Sequence, residues 1–218
     1  MKRLFFITIL AMFTGFLEAQ TTPVDLKKVK AFAVTEEYDQ LLKRFCSNDT
    51  TLRPDDYRML YYGQAFRMDF HPYASPDSAR ALRDYINTHG DTTDYRVVLR
   101  YTQMILDKFP FSLDEIYLTA TAYDWLGERG LSEIWFFKFN SLVRTILSSG
   151  DGKKEKTAFI VTGVPDEYVI LGVLGFQIES QALTGKRGKR YDVLSLSENE
   201  YHLSKMYFDI NLFFGKGF

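Results

Sequence analysis

The residues that could do chemistry in this 218-residue chain are few and scattered. It holds three histidines, one cysteine and 28 acidic residues against 27 basic ones. His71, His89 and His202 could join carboxylates around a metal, but none stands in H-x-x-x-H or a comparable spacing, so they define no metal site. His89, beside Gly90, reads as a helix-end residue. A catalytic thiol needs a cation or imidazole close by. Cys46 has only Lys43 and Arg44, which read as a solvated helix face, so a buried, inert thiol is expected there. No G-x-S-x-G marks a serine nucleophile. Ser148-Ser149-Gly150-Asp151-Gly152-Lys153 has the glycines and lysine of a phosphate loop, but it lacks the G-x-x-x-x-G-K-[ST] spacing and follows a helical pattern where such a loop must follow a strand. It reads as a helix stop and turn. Asp151 fails as the start of a calcium loop, because Lys153, Lys154 and Glu155 occupy the next ligand positions. Carboxylate pairs of the glycosidase kind depend on a separation in space that sequence does not carry. The chain therefore offers no catalytic residue, no metal set and no cofactor motif.

Two stretches remain as candidate binding surfaces. The first is the aromatic run Tyr57, Tyr61, Tyr62, Phe66, Phe70, His71 and Tyr73. Tyrosines bring contact area with a polar tip at low entropic cost, which suits peptide or sugar surfaces. The competing reading is core: Tyr57 and Tyr61 share one helix face with Leu60. Tyr61 and Tyr62 cannot share a face, so at least one should reach solvent or another element. The second is the basic turn Lys186, Arg187, Lys189 and Arg190. It is either a solvated hairpin tip or a contact for an anionic partner.

The elements that must position these residues centre on Asp94 to Gly152. Tyr95, Val98, Leu99, Thr102, Ile105 and Leu106 recur at helical spacing behind an Asp94 cap, and Pro110 lies just past the end. Ser112 and Glu115 form the S-x-x-E capping box, with Phe111 and Ile116 as its hydrophobic staple. That helix runs to about Leu126 and stops at Gly127. A third helix spans about Leu131 to Leu147, with Trp135, Phe139, Leu142, Val143 and Ile146 on one side. The spacing of Pro110, Ala120, Tyr123 and Gly127 resembles a tetratricopeptide repeat from Asp91 to about Arg144. Ser132 stands where that repeat has alanine and Ile116 where it has tryptophan, and the preceding unit, Gly90 to Pro110, needs a short insertion. The resemblance implies a scaffold for binding a protein or peptide; any packed helical hairpin produces similar spacing, and one and a half repeats make no solenoid alone.

Thr21–Val34 reads as a short linker and a first helix, and further helices are expected around Tyr38, Leu41, Leu42 and Phe45, over about 54–66 behind Pro54, and from Ser75-Pro76 to Gly90. The periodicity changes after Gly152. Lys153 to Lys156 is a basic connector and the best candidate boundary. Strands are expected at Thr157–Val164, Phe176–Leu183, Tyr191–Leu196 and Met206–Phe214, with a short helix opened by Pro165. The fold class is α+β: an N-terminal helical, tetratricopeptide-like layer (20–152), then a small, mainly antiparallel sheet with one short helix (153–218), the two parts being either separate regions or one continuous domain.

Residues 1–19 read as a signal peptide: Lys2-Arg3, an apolar run from Leu4 to Phe16, and a small residue at Ala19. No membrane span is expected after cleavage, and no cysteine follows closely enough for a lipid anchor. The expected location is the periplasm or the extracellular space. Hydrophobic content of 46% excludes global disorder, and a net charge of −1 with mixed signs argues against a nucleic-acid partner.

Three further stretches carry a resemblance over most of the chain. They are Tyr57-Arg58-Met59-Leu60-Tyr61-Tyr62-Gly63 with Pro72-Tyr73; Ser148 to Gly152 with Thr157-Ala158-Phe159; and Glu167-Tyr168 with Ile170-Leu171 and Leu174-Gly175. With these the chain resembles the domain of unknown function 4919 family of exported Bacteroidetes proteins. The resemblance implies an envelope or secreted location and brings no activity with it. The leading expectation is a monomeric, non-enzymatic module of the cell envelope that binds a protein or peptide. The alternative is an envelope hydrolase or carbohydrate-processing enzyme with an unrecognised carboxylate site. A deep cleft with convergent carboxylates or histidines would favour the enzyme, a shallow aromatic groove the binding module. A third reading makes Met206–Phe214 an exposed edge strand that pairs with a partner.

Overall fold

The structure is a computed structural model that describes residues 22–186 and 188–216. The signal-peptide reading of residues 1–19 and the Arg187 contact lie outside the described residues.

Among the described residues seven α-helices come first, and local chemistry explains most of their starts. In α1 (Leu26–Phe32) the Asp25 carboxylate accepts from the Lys27 and Lys28 N–H groups. In α2 (Glu36–Cys46) the Thr35 hydroxyl accepts from the Tyr38 N–H. Helix α3 (Pro54–Gly63) has proline in its first turn, where no N–H is missed, and continues as a 3-10 turn through Phe66. Helix α4 (Asp77–His89) ends at Gly90, whose φ is +47°. Helix α5 (Tyr95–Leu106) is capped by Asp94, which accepts from the Arg96 N–H at 2.9 Å. Helix α6 (Leu113–Trp125) starts where the capping box predicts, but the box does not form. The Ser112 hydroxyl donates to the Glu115 carboxylate and caps no backbone N–H. The staple residues Phe111 and Ile116 are both buried. Helix α7 (Arg129–Leu147) begins a little earlier than the apolar periodicity suggests.

The second part holds β1 (Phe159–Ile160), α8 (Val164–Val173), β2 (Ile178–Thr184), β3 (Tyr191–Leu196) and β4 (Lys205–Asp209). Strand order is β1-β4-β3-β2, with β1 parallel to β4 and the other two pairings antiparallel. Two strands are shorter than expected. Thr157–Val164 keeps only Phe159–Ile160 as strand, because Gly163, Val164 and Pro165 open α8. Met206–Phe214 is strand only to Asp209, and the chain then turns, so that Leu212 and Phe213 are buried by the turn and Phe214 is exposed. Strand β4 lies between β1 and β3, which removes the reading of Met206–Phe214 as a partner-seeking edge.

Helices α4, α5, α6 and α7 pack each against the next, while α3 packs against α1, α2 and α7. One cluster of buried side chains runs from Val29, Tyr38 and Leu60 through Leu142 and Ile146 to Leu171, Leu194 and Phe208, drawing on both sides of the Lys153–Lys156 connector. A smaller cluster of Ala79, Leu82, Val98, Ile105 and Ala122 lies among α4, α5 and α6. Among the described residues no helix is long and apolar enough to cross a membrane.

Candidate functional site

The aromatic run divides at the end of α3. Tyr57, Tyr61 and Tyr62 are core, contrary to the platform reading: they are 2%, 0% and 0% exposed. Helix α3 is covered on several sides, so neighbouring faces can both be buried. Each hydroxyl of the Tyr61–Tyr62 pair then finds a partner inside, as a buried phenol requires. Tyr62 donates to the Thr145 carbonyl on α7 at 3.2 Å. Tyr61 donates to Asp166 Oδ2 at 2.6 Å and accepts from the Thr162 N–H at 3.2 Å. Beyond Gly63 the run surfaces. Phe66 and Phe70 are half-buried beneath the Lys216 ammonium, 5.3 and 5.8 Å from the ring centroids. His71 and Tyr73 are exposed, and Tyr73 packs edge-on against Phe213.

Phe70, His71 and Tyr73 line a cleft of about 470 Å³, within the range that suits a small ligand or a short peptide segment. One wall is the Arg67–Pro76 loop after α3. The second is the α5–α6 junction from Lys108 to Glu115, and the third is the Thr162–Asp166 turn that opens α8. Prolines at 72, 76, 110 and 165 fix the loop backbones at its rim.

Two carboxylates on these walls titrate far from their ordinary range. Burial raises Asp166 to about 7, against the pull of the hydroxyl bonds from Tyr61 and Thr162. Asp114 is accessible to solvent in the cleft. Protein nonetheless surrounds most of it, and this desolvation, helped by Glu115 and opposed by Arg83, raises it to about 6. The charge of Asp114 in turn pushes Asp166 up. Among the described residues no cation stands within ion-pair distance of either group. Arg67, on the opposite wall, is engaged with Asp39 at 3.0 Å and with the Ala33 carbonyl at 3.0 Å.

A model of the family described as Domain of unknown function (DUF4919) matches residues 26–215. The chain belongs to the DUF4919 family. The matched span covers every element from α1 to β4, so all three walls of the cleft lie within the DUF4919 domain. No curated protein and no solved structure matches the chain.

The other candidate residues of this DUF4919 chain lie outside the cleft. Lys186 and Lys189 are exposed on the β2–β3 hairpin, and Arg190 donates to the Lys189 carbonyl and stacks toward Phe214. Ser148 to Gly152 is structural. The Ser148 and Ser149 hydroxyls donate to the Thr145 and Ile146 carbonyls, and Asp151 accepts from the Lys153 N–H and the Thr157 hydroxyl. His89 sits against the Tyr85 ring and carbonyl at the end of α4, and His202 lies in the β3–β4 loop with φ +53°. Among the described residues no group of three or more His, Cys, Asp or Glu side chains is placed to hold a metal. Cys46 is exposed, which corrects the expectation of burial: it is the last residue of α2, and the neighbouring Phe45 takes the inward position.

Sequence reasoning missed Asp114, Asp166 and Thr162. Asp114 reads as an ordinary acidic first-turn residue, and Pro165-Asp166-Glu167 as an ordinary helix opening. Only tertiary packing brings the two starts to one cavity. A buried amine was also missed. Lys138 on α7 is 4% exposed, donates to Asn48 Oδ1 at 2.5 Å and lies between the Phe45 and Trp135 rings. Burial lowers it to about 8.

Proposed function

We propose that this DUF4919 protein is an exported, monomeric, non-enzymatic binding module of a bacterial cell envelope, and that its cleft receives a segment of a protein or peptide. The observation that carries the reading is the cleft itself, a ligand-sized cavity with Phe70, Tyr73 and Phe109 beside polar groups. Export rests on the basic and apolar pattern of residues 1–19 and on the resemblance to exported Bacteroidetes proteins. The consecutive packing of α4 to α7 supports the likeness to tetratricopeptide hairpins. The test is isolation of the tagged protein from its native envelope, beside Tyr73→Ala and Phe70→Ala variants checked for folding. A stoichiometric partner lost in both variants supports the reading. A partner retained by both moves the surface elsewhere.

A second reading, a hydrolase, has one observation in its favour. Asp114 and Asp166 face one cleft with carboxyls near 6 and 7, where a group can give and take protons at neutral pH. Turnover of a peptide or glycoside substrate that disappears in Asp166→Asn would establish it over the binding module.

A further inference from the structure

We infer that the cleft recognises a primary ammonium group carried by a peptide, and that Asp166 and Asp114 receive it. The inference rests on the cleft reading above and names its ligand chemistry. Asp166 is only 7% exposed, yet it lines the cavity. Both hydroxyl donors, Tyr61 and Thr162, fall on Oδ2, which orients the carboxyl, and among the described residues no side-chain donor falls on Oδ1. Thr162 is fixed in turn by the Gln64 amide, which donates to its hydroxyl at 3.0 Å. A carboxylate held this way, with no cation within ion-pair distance among the described residues although Arg67, Arg83 and Lys108 line the same cleft, is half of a charge-assisted pair. Around it, Tyr61 faces Asp166 from α3, Asp114 from α6 and Glu167 along its own helix. Asp114 faces Arg83 from α4 and Glu115 on its own helix. Phe70, Tyr73 and Phe109 supply apolar and aromatic contact for the chain that bears the ammonium.

Binding of a cation ionises the two acids, so protons are released and affinity rises with pH from about 5.5 to 8. The test is calorimetric titration with four tripeptides. Three are blocked at both ends, with lysine, norleucine or glutamate at the centre; the fourth has central norleucine and a free amino terminus. The lysine or the free-amino peptide is expected to bind about tenfold to hundredfold more tightly than blocked norleucine, as a charged hydrogen bond implies. Which of the two gains tells a side-chain ammonium from a terminal one. Asp166→Asn and Asp114→Asn should each erase the preference. Should Asp166→Asn not fold, Asp114→Asn, at an accessible position, carries the test. A preference unchanged in the folded variants overturns the inference. Equal binding of all four peptides, lost in Phe70→Ala, overturns the ammonium and leaves the cleft reading standing. Binding of none overturns both.

Discussion

Tyr61 is the residue that holds the Thr162–Asp166 wall of the cleft from behind, joining α3 to a turn some hundred residues later. Its hydroxyl both donates to Asp166 and accepts from the Thr162 N–H. Tyr61→Phe strips a buried donor and acceptor at once, and should cost about 1–3 kcal/mol in urea denaturation. Asp166 itself gives a pH dependence whose sign is opposite to that of an ion-paired carboxylate. Its folded value, about 7, lies above the ordinary 3.8, and Asp114 at about 6 and Glu167 at about 9 are raised in the same direction. Between the ordinary and the folded values the native state holds more protons than the unfolded chain. These groups therefore stabilise the fold fully below about pH 4, and that contribution is lost as pH rises through 6, 7 and 9. Unfolding free energy from these groups should fall by about 1 kcal/mol or more between pH 5 and pH 8, and Asp166→Asn should flatten the slope in denaturant titrations at each pH. Cys46 offers a simpler check. Being exposed, it should react stoichiometrically with a thiol reagent in the native state; desolvation raises its pKa, so the reaction at neutral pH should be slower than that of a free cysteine.

The turn that follows α7 is held by backbone geometry as well as by the polar bonds of Ser148, Ser149 and Asp151. Gly152 has φ +67°, and a Cβ there would strike Met206 Sδ and the Phe159 ring. Gly152→Ala should cost about 2 kcal/mol or more in thermal denaturation, from the left-handed backbone and the overpacking together. That glycine lies in a stretch whose residue types invite a phosphate-loop reading, and the spacing and the preceding helix argued against it. Legibility along the chain follows the same line. Helix starts were readable where a side chain caps locally, as at Asp94, and helix ends where glycine follows, as at Gly127. Strand Tyr191–Leu196 was readable with its bounds because the basic, glycine-containing turn before it and the polar Ser197-Glu198-Asn199-Glu200 run after it mark both ends. The strand around Phe159 was overread because apolar residues continue into α8, whose first turn looks extended until Pro165 is seen as a helix opener. The aromatic run could not be resolved from periodicity, since one helix covered by several neighbours buries adjacent faces. The carboxylates of the cleft were illegible for a different reason: each has an ordinary local role, and the perturbation comes from what packs around it.

The core crosses the two parts of the chain, and the whole molecule should answer to damage in either. Leu60 on α3 and Leu194 on β3 are both 0% exposed in the same cluster. Leu60→Ala and Leu194→Ala should each cost about 2–5 kcal/mol. In both variants far-ultraviolet dichroism and tryptophan fluorescence, from Trp125 and Trp135 together, should lose signal in one coincident transition, as expected of a shared core; separate transitions would assign the helices and the sheet to independent units. The sheet also has an order of assembly written into it. One of its two inner strands, β4, is the last strand of the described chain, while β1 and β3, which flank it, are made earlier. During synthesis β1 and β3 emerge with a gap between them that nothing upstream fills, and β3 waits with one side unpaired until Lys205–Asp209 arrives. A chain interrupted before that point loses the centre of the sheet rather than its border. Such fragments should be prime targets for proteases and for misjoining with other nascent chains.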